Sequence, residues 1–342
     1  MNLELLRQVC ATPGAPGFED KIRDFIIQEV APLVDAIRVD NMGSVIAIVE
    51  GKDTEKTMMA AAHMDEIGFM VRHIDDKGFI KFLPLGGFDA KTLTAQRVIV
   101  HGKKDLIGVM GVKPIHVMSP AERTKLPEVT DFFIDLGMSK EEVEKYVSVG
   151  DSVTRERDLV EMGDCVNVKS LDNRAGCYVL IEALRAIKAS KKKPSCNFVA
   201  AFTVQEEVGL RGATGAAFAA AADTVVVLEG TTAGDMGDVP AVRRVCEPGH
   251  GVVVSFMDGA SIADGGMYRE LLSLAREKGI SAQVKRGATG GNDGGAYQRS
   301  REGKRVCVLS VPCRYIHGPS SVVMLSDVEA QFALAKAYAE QA

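Results

Sequence analysis

A chain of 342 residues exceeds the roughly 100 to 200 residues of an ordinary domain, which favours one large unit with a smaller companion. Its 46% hydrophobic and 25% charged content is that of a globular protein, and no apolar run approaches the ~20 residues of a membrane span. A net charge of -5 without a stripe of Lys and Arg argues against nucleic acid as a partner, because phosphate recognition needs clustered cations.

The remaining composition narrows the setting. The start of the chain has an acidic residue at Glu4 and no uninterrupted apolar core, so no secretory signal is expected and the protein is placed in the cytoplasm, away from membranes. Seven cysteines, an odd number with no Cys-x-x-Cys pair, fit neither a disulfide framework nor a thiolate zinc site. The Lys191 to Lys193 run reads as the solvated end of a helix, where cations complement the macrodipole.

In chain order, apolar residues at 18, 22, 25, 26 and 30 predict a helix over 17 to 31. Short apolar runs at Ser44 to Val49 and Thr57 to Ala62 predict buried strands, the second ending at His63. From Phe69 to Gly163 the texture changes to short strand-like pieces separated by Gly-containing turns, which predicts an inserted β-rich domain. Beyond it, helices at 173 to 189, 212 to 221, 264 to 278 and 326 to 341 alternate with strands at 198 to 204, 224 to 228, 251 to 256, 282 to 285 and 305 to 311. That alternation implies an α/β fold with a mostly parallel sheet flanked by helices. The expected division is residues 1 to 68 plus 164 to 342 as one domain and 69 to 163 as the insertion.

Five stretches place His, Asp or Glu where predicted strands end: His63-Met-Asp65, Leu171-Asp172-Asn173, Gln205-Glu206-Glu207, Leu228-Glu229 and Ile316-His317. In open α/β sheets, sites form beyond the carboxyl ends of strands. Each stretch also has a plain structural explanation. Asp65 can cap a turn, Asp172 can cap a helix, and His317 can be a satisfied core histidine. If the strand continues, Asp65 shares a face with His63 and can accept a hydrogen bond from its imidazole. Adjacent Glu206 and Glu207 repel one another unless something positive lies between them. Glu229, closing an apolar strand, must be paired, solvated or bound to a cation. Together, two imidazoles and several carboxylates with no thiolate suit a pair of divalent ions in the zinc, cobalt or manganese range. His73, His101, His116 and His250 lack acidic neighbours at ligand spacing and read as structural.

These motifs resemble metallopeptidase family 42, the glutamyl and tetrahedral aminopeptidases, whose members have sometimes carried an endoglucanase label. The matching stretches are Pro13-Gly-Ala-Pro-Gly-Phe-Glu-Asp20, His63-Met-Asp-Glu-Ile-Gly-Phe69, Gly111-Val-Lys-Pro-Ile-His116, Leu171-Asp-Asn-Arg174, Gln205-Glu-Glu-Val-Gly209, Gly290-Gly-Asn-Asp293 and Arg314-Tyr-Ile-His-Gly-Pro319. They span nearly the whole chain in the family's order. The resemblance implies a zinc-aminopeptidase-like fold with an inserted PDZ-like barrel used in oligomerisation, and dimers assembling into a dodecamer. It also implies two divalent ions per subunit, one held by His63, Asp172 and Glu229, the other by Asp172, Glu207 and His317. Glu206 falls at the family's general base and Asp65 at the residue that orients the histidine. Two departures stand out: Glu229 where many relatives have Asp, and Gly318 where a Ser is common.

The activity so implied is removal of N-terminal residues from short peptides. Other readings of the same residues are an N-deacylase or other amide hydrolase, a glycosidase, or a non-catalytic assembly protein. The glycosidase reading fares worst, because paired acids there stand about 5 to 9.5 Å apart across a sugar whereas Glu206 and Glu207 are adjacent.

Overall fold

The structure, a computed structural model, describes residues 1–341. Strands β1 (Ala36–Val39), β2 (Val45–Val49) and β3 (Asp53–His63) lead into six short strands: β4 (Gly68–Ile74), β5 (Ile80–Leu85), β6 (Arg97–His101), β7 (Asp105–Gly111), β8 (Phe133–Asp135) and β9 (Ser152–Arg155). After β10 (Val160–Met162) and β11 (Cys165–Val168) follow β12 (Cys196–Thr203), β13 (Thr224–Thr232), β14 (Val252–Ser255), β15 (Ala282–Val284), β16 (Arg305–Cys313) and β17 (Ser321–Met324). The larger helices are α1 (Leu3–Ala11), α2 (Asp20–Val30), α5 (Leu171–Ser190), α6 (Arg211–Ala219), α7 (Gly265–Lys278) and α9 (Leu325–Gln341); short α3 (Pro120–Arg123), α4 (Lys140–Tyr146) and α8 (Asp293–Gln298) complete the set. No helix among the described residues is long and apolar enough to cross a membrane.

Eight strands form one sheet in the order β1-β2-β12-β3-β13-β16-β14-β15. Its centre, β12-β3-β13-β16, is parallel, as the alternation of helices and strands requires. β14 and β15 pair in parallel too, so four of the seven pairings agree with the expected mostly parallel sheet and three do not. β1 runs antiparallel to β2, β2 to β12, and β14 to β16, so the sheet is mixed. Between β1 and β2 the cause is a link too short for the helical crossover that a parallel neighbour needs.

Alternation along the central strands divides the core between two faces. Met58, Ala60, Phe198, Phe202, Val226, Leu228 and Leu309 pack beneath helices including α1, α2, α5 and α9, while Met59, Ala61, Val199, Val225 and Val308 face α6 and α8. Each of the larger side chains, once removed from water, contributes about 1.5 to 3 kcal/mol. Helix α5 lies across β3 and β13, and a Cβ at its Gly176 would meet the Leu228 carbonyl at 3.0 Å, so that position sets how closely the helix approaches.

The six strands between Gly68 and Arg155 close into a barrel, ordered β4-β5-β8-β7-β6-β9, around Phe69, Val71, Ile80, Val98, Val100, Ile134 and Val153. All seven cysteines are free. Three features went unread in the sequence: α1, whose buried stripe is Leu5, Leu6, Val9 and Cys10, the short α8, and a third sheet, β10-β11-β17.

Candidate active site

Three of the parallel strands deliver side chains to one end of the sheet. β3 terminates on His63, whose register partner Thr203 terminates β12 and releases the chain toward Glu206 and Glu207. Glu229 projects from β13 opposite Ser310 of β16. β13 runs on to Thr232, so Glu229 lies inside the strand instead of closing it. Asp172 opens α5 without helical geometry: its φ/ψ of -87/107° and those of Asn173 interrupt the helix, so the carboxylate turns into the site and does not cap.

These residues converge. His63 Nε2 stands 3.3 Å from Asp172 Oδ1, 3.7 Å from Glu229 Oε2 and 3.9 Å from Glu206 Oε2. On the far side of Asp172, His317 Nε2 lies 3.3 Å from Asp172 Oδ2 and 3.3 Å from Glu207 Oε2. Asp172 therefore offers one oxygen to each histidine. His63, Asp172 and Glu229 form one group able to hold a cation, and Asp172, Glu207 and His317 a second; His63 with Glu206 and Glu207 is a third possible grouping.

Asp65 does something the sequence reading did not foresee. The strand ends at His63, so Asp65 does not simply share a face with it. Its carboxylate accepts hydrogen bonds from the backbone N–H groups of Glu206 and Glu207, both at 3.1 Å, and so orients that acidic pair. The imidazole Nδ1 of His63 faces the same residue, 3.2 Å from the Asp65 carbonyl and 3.4 Å from its carboxylate.

The electrostatics are those of a site short of positive charge. Burial pushes Glu207 up to about 8, with Asp172 adding to the effect. Burial likewise lifts Glu206 and Glu229 well above the usual carboxylate range, each raised further by its acidic neighbours. The histidines move the other way from ordinary buried imidazoles. Burial opposes their charge, but Glu206 and Glu229 hold His63 well above its usual value, and Asp172 and Glu207 lift His317 to about 9. Asp172, though buried, is held below its ordinary range by hydrogen bonds from His317 and His63. Glu207 Oε1 and Glu229 Oε1 are buried with no hydrogen-bond partner. Buried carboxylate oxygens without donors are costly unless a cation sits against them. The donor set of imidazole nitrogen and carboxylate oxygen thus fits divalent metal ions.

Further polar residues support the site. Asp293, from the quoted Gly-Gly-Asn-Asp stretch, is buried, accepts a hydrogen bond from Thr203 and is raised to about 6 by burial. Lys169 and Glu66 form a buried ion pair at 2.6 Å. A cavity of about 480 Å³ opens on the cluster, and its wall includes Asp172, Glu206, Glu229, Lys285, Asn292 and His317. His73, His101, His116 and His250 belong to none of the candidate cation groups. His101 does have an acidic neighbour, however, with Asp105 Oδ1 at 2.9 Å; the two face each other across the β6–β7 hairpin in the barrel.

A buried cluster of acids and histidines beyond the carboxyl ends of the parallel strands of an α/β sheet defines a class: proteins with a candidate metal-holding active site. The comparisons make this specific. Residues 43–334 match the M42 glutamyl aminopeptidase family, and the chain belongs to that family. It is 32% identical over 350 residues to a lysyl aminopeptidase of Pyrococcus furiosus, covering 100% of this chain and 97% of the relative. Among solved structures it resembles a TET aminopeptidase from Thaumarchaeota archaeon SCGC AB-539-E09, with TM-score 0.96 and 32% identity over 99% of this chain and 96% of that one. It also resembles the Pyrococcus horikoshii TET1 peptidase, which assembles into a tetrahedron or a large octahedral shell, with TM-score 0.88 and 31% identity over 99% of both chains. The chain is accordingly a peptidase.

Proposed function

We propose that this protein is an aminopeptidase that works with two divalent metal ions, zinc first among zinc, cobalt and manganese, and with Glu206 as general base. The observation that carries the reading is the position of Asp172, one carboxylate oxygen toward His63 and the other toward His317, with unpartnered Glu229 and Glu207 oxygens on the two sides. His63, Asp172 and Glu229 would hold one ion, and Asp172, Glu207 and His317 the other. Ions held there would supply the charge that acidifies a water toward a pKa of about 7 and polarises a peptide carbonyl.

The chain's own groups do the rest. Glu206, buried and fixed through its backbone by Asp65, takes the proton of the attacking water and returns it to the leaving amine. Asp65 holds the His63 ring and the Glu206–Glu207 backbone together. The surplus of carboxylates receives the substrate's free α-ammonium, which restricts cleavage to the N-terminal residue.

The cavity wall bears on the residue removed. Outside the metal-holding set and the base Glu206, its charged side chain is Lys285, which is buried, donates to Thr289 O at 3.0 Å and has no ion-pair partner among the described residues. A buried ammonium favours a carboxylate opposite it, so N-terminal Glu and Asp are the preferred side chains. Lys285→Met lowers the ratio of kcat/KM for Glu- over Leu-peptides by about 10- to 100-fold, the worth of a hydrogen bond to a charged group.

For assembly we assign the barrel, within an inserted domain of about residues 69 to 163 set against a catalytic domain of 1 to 68 plus 164 to 342. Its strands leave Leu83, Ile107 and Val109 exposed, a surface suited to contact between copies in a homo-oligomer such as a dodecamer built from dimers. Light scattering of the purified chain measures this directly.

The test of the activity is cleavage of short peptides with free and with acetylated N-termini, after chelation and re-addition of zinc, cobalt or manganese. Metal-dependent release of single residues from the free peptides alone is expected. Cleavage of the acetylated set would favour the N-deacylase reading instead, and no cleavage with any metal would leave a non-catalytic assembly protein.

A further inference from the structure

We infer that Arg155, supplied by the barrel, is a positioning residue for His317 and thereby for the cation on that side of Asp172. The inference rests on the reading of Asp172, Glu207 and His317 as a metal-holding group.

His317 is an unusual place for a ligand. It lies in the segment between β16 and β17, with φ at 59°, a left-handed conformation that costs a non-glycine residue about 1 to 2 kcal/mol. Tyr315, two residues earlier, is left-handed too, at 58°. Such a conformation persists only where the surroundings determine it. The segment ties itself partly together, since Gly318 N–H donates to Tyr315 O at 2.7 Å and Ser321 Oγ to the same carbonyl at 3.2 Å. The first closes a turn with Ile316 and His317 at its centre, and neither engages the His317 carbonyl.

The group that does comes from the barrel. Arg155, the last residue of β9, is buried, and its Nη1 donates to the His317 carbonyl at 2.9 Å. Its guanidinium lies 4.8 Å from the centre of the Phe88 ring, and Phe88 in turn stacks on Phe69 of the barrel core at 4.4 Å. Gly87 runs alongside the imidazole, where a Cβ would stand at contact distance, 3.4 Å from His317 Nδ1. Ring and carbonyl of one residue are thus both bounded by the barrel. His63 receives no comparable contact from it, being fixed by β3 and Asp65.

A planar guanidinium stacked on an aromatic face has little freedom to follow a drifting loop, so it holds the carbonyl and, with the turn, the backbone that aims Nε2 at Asp172. The Nε and Nη2 atoms of Arg155 are buried without hydrogen-bond partners, so the bond to His317 is the one the guanidinium makes.

The test is zinc titration of chelated protein by calorimetry, with elemental analysis after gel filtration. Wild type is expected to take up two ions per subunit. Arg155→Met weakens one of them by about 10- to 100-fold, the usual effect of losing a group that orients a metal ligand, and leaves the other within threefold. His317→Ala shows the same one-sided loss, and combining the two substitutions adds nothing further. Where Arg155→Met yields no soluble protein, Arg155→Gln, which retains one donor, gives the same one-sided loss at smaller size. Equal weakening of both ions, no weakening, or additive losses in the double variant would overturn the inference. A wild-type protein that binds no divalent ion removes the metal reading itself and this inference with it, a result visible before any variant is made.

Discussion

The two histidines of the site are built differently. His63 ends a strand in the middle of the sheet, its side chain 1% exposed, with parallel neighbours on both sides of β3. His317 sits on a loop with left-handed backbone, its side chain 37% exposed, and depends on residues of a separate barrel for its place. Asp172 stands between them and belongs to both. One half of the site is therefore part of the core, and the other is assembled from surface pieces. A ligand carried by a central strand is as rigid as the sheet, whereas a ligand on a loop is only as rigid as the contacts that hold it.

The largest effect should come from removing what the halves share. Asp172→Asn takes away the charge common to both groups, and elemental analysis of the purified variant should find neither ion retained. Next is Glu206→Gln, which keeps the metal groups intact but cannot accept a proton. It should retain both ions and lose about 10²- to 10⁴-fold in kcat. Near-wild-type turnover in the metal-loaded variant would remove Glu206 as the base.

Single histidine substitutions separate the halves. His63→Ala should lose its ion and destabilise the fold by about 2 to 4 kcal/mol in denaturant melts, because truncating a ring in the core leaves a cavity. His317→Ala should lose the other ion with a stability change of about 1 kcal/mol or less, as befits a partly exposed residue. Equal stability losses would mean that the contrast between core and surface halves is wrong.

The smallest effect is a dependence on pH. Glu207 is pushed up to about 8 by burial and by Asp172, and Glu206 and Glu229 are raised as well, so the metal-free site holds protons at neutral pH. A cation must displace them. The two histidines, raised as well, must also give up their protons, so affinity should rise as pH increases through about 8 to about 9 and weaken as pH falls below that range, with protons released on binding. Titrations at pH 7 in two buffers of different ionisation enthalpy measure that release, and affinity independent of pH would contradict it.

Much of this was legible because the parallel strands repeat a simple rule: a buried apolar run followed by a polar residue at its carboxyl end. That rule brought His63, Asp172, Glu206, Glu207, Glu229 and His317 forward, and the fold gathers all six. Its errors are local. Glu229 looked like the end of its strand because Thr231 and Thr232 lack the apolar character of Val225 to Leu228, yet hydrogen bonding to β16 carries β13 through them. The antiparallel flanks went unspecified because strand direction depends on which neighbours meet, and periodicity does not encode that. Arg155 was invisible for the same reason. Nothing near it in sequence separates it from a surface arginine, and its partner lies 162 residues away.

The central claim is that Asp172 bridges two cations. Crystals grown with zinc, with anomalous difference maps collected on either side of the zinc absorption edge, test it most directly. The account predicts two peaks per subunit flanking Asp172, one against His63 and Glu229 and the other against Glu207 and His317. A single peak, or none within the cluster, would contradict it.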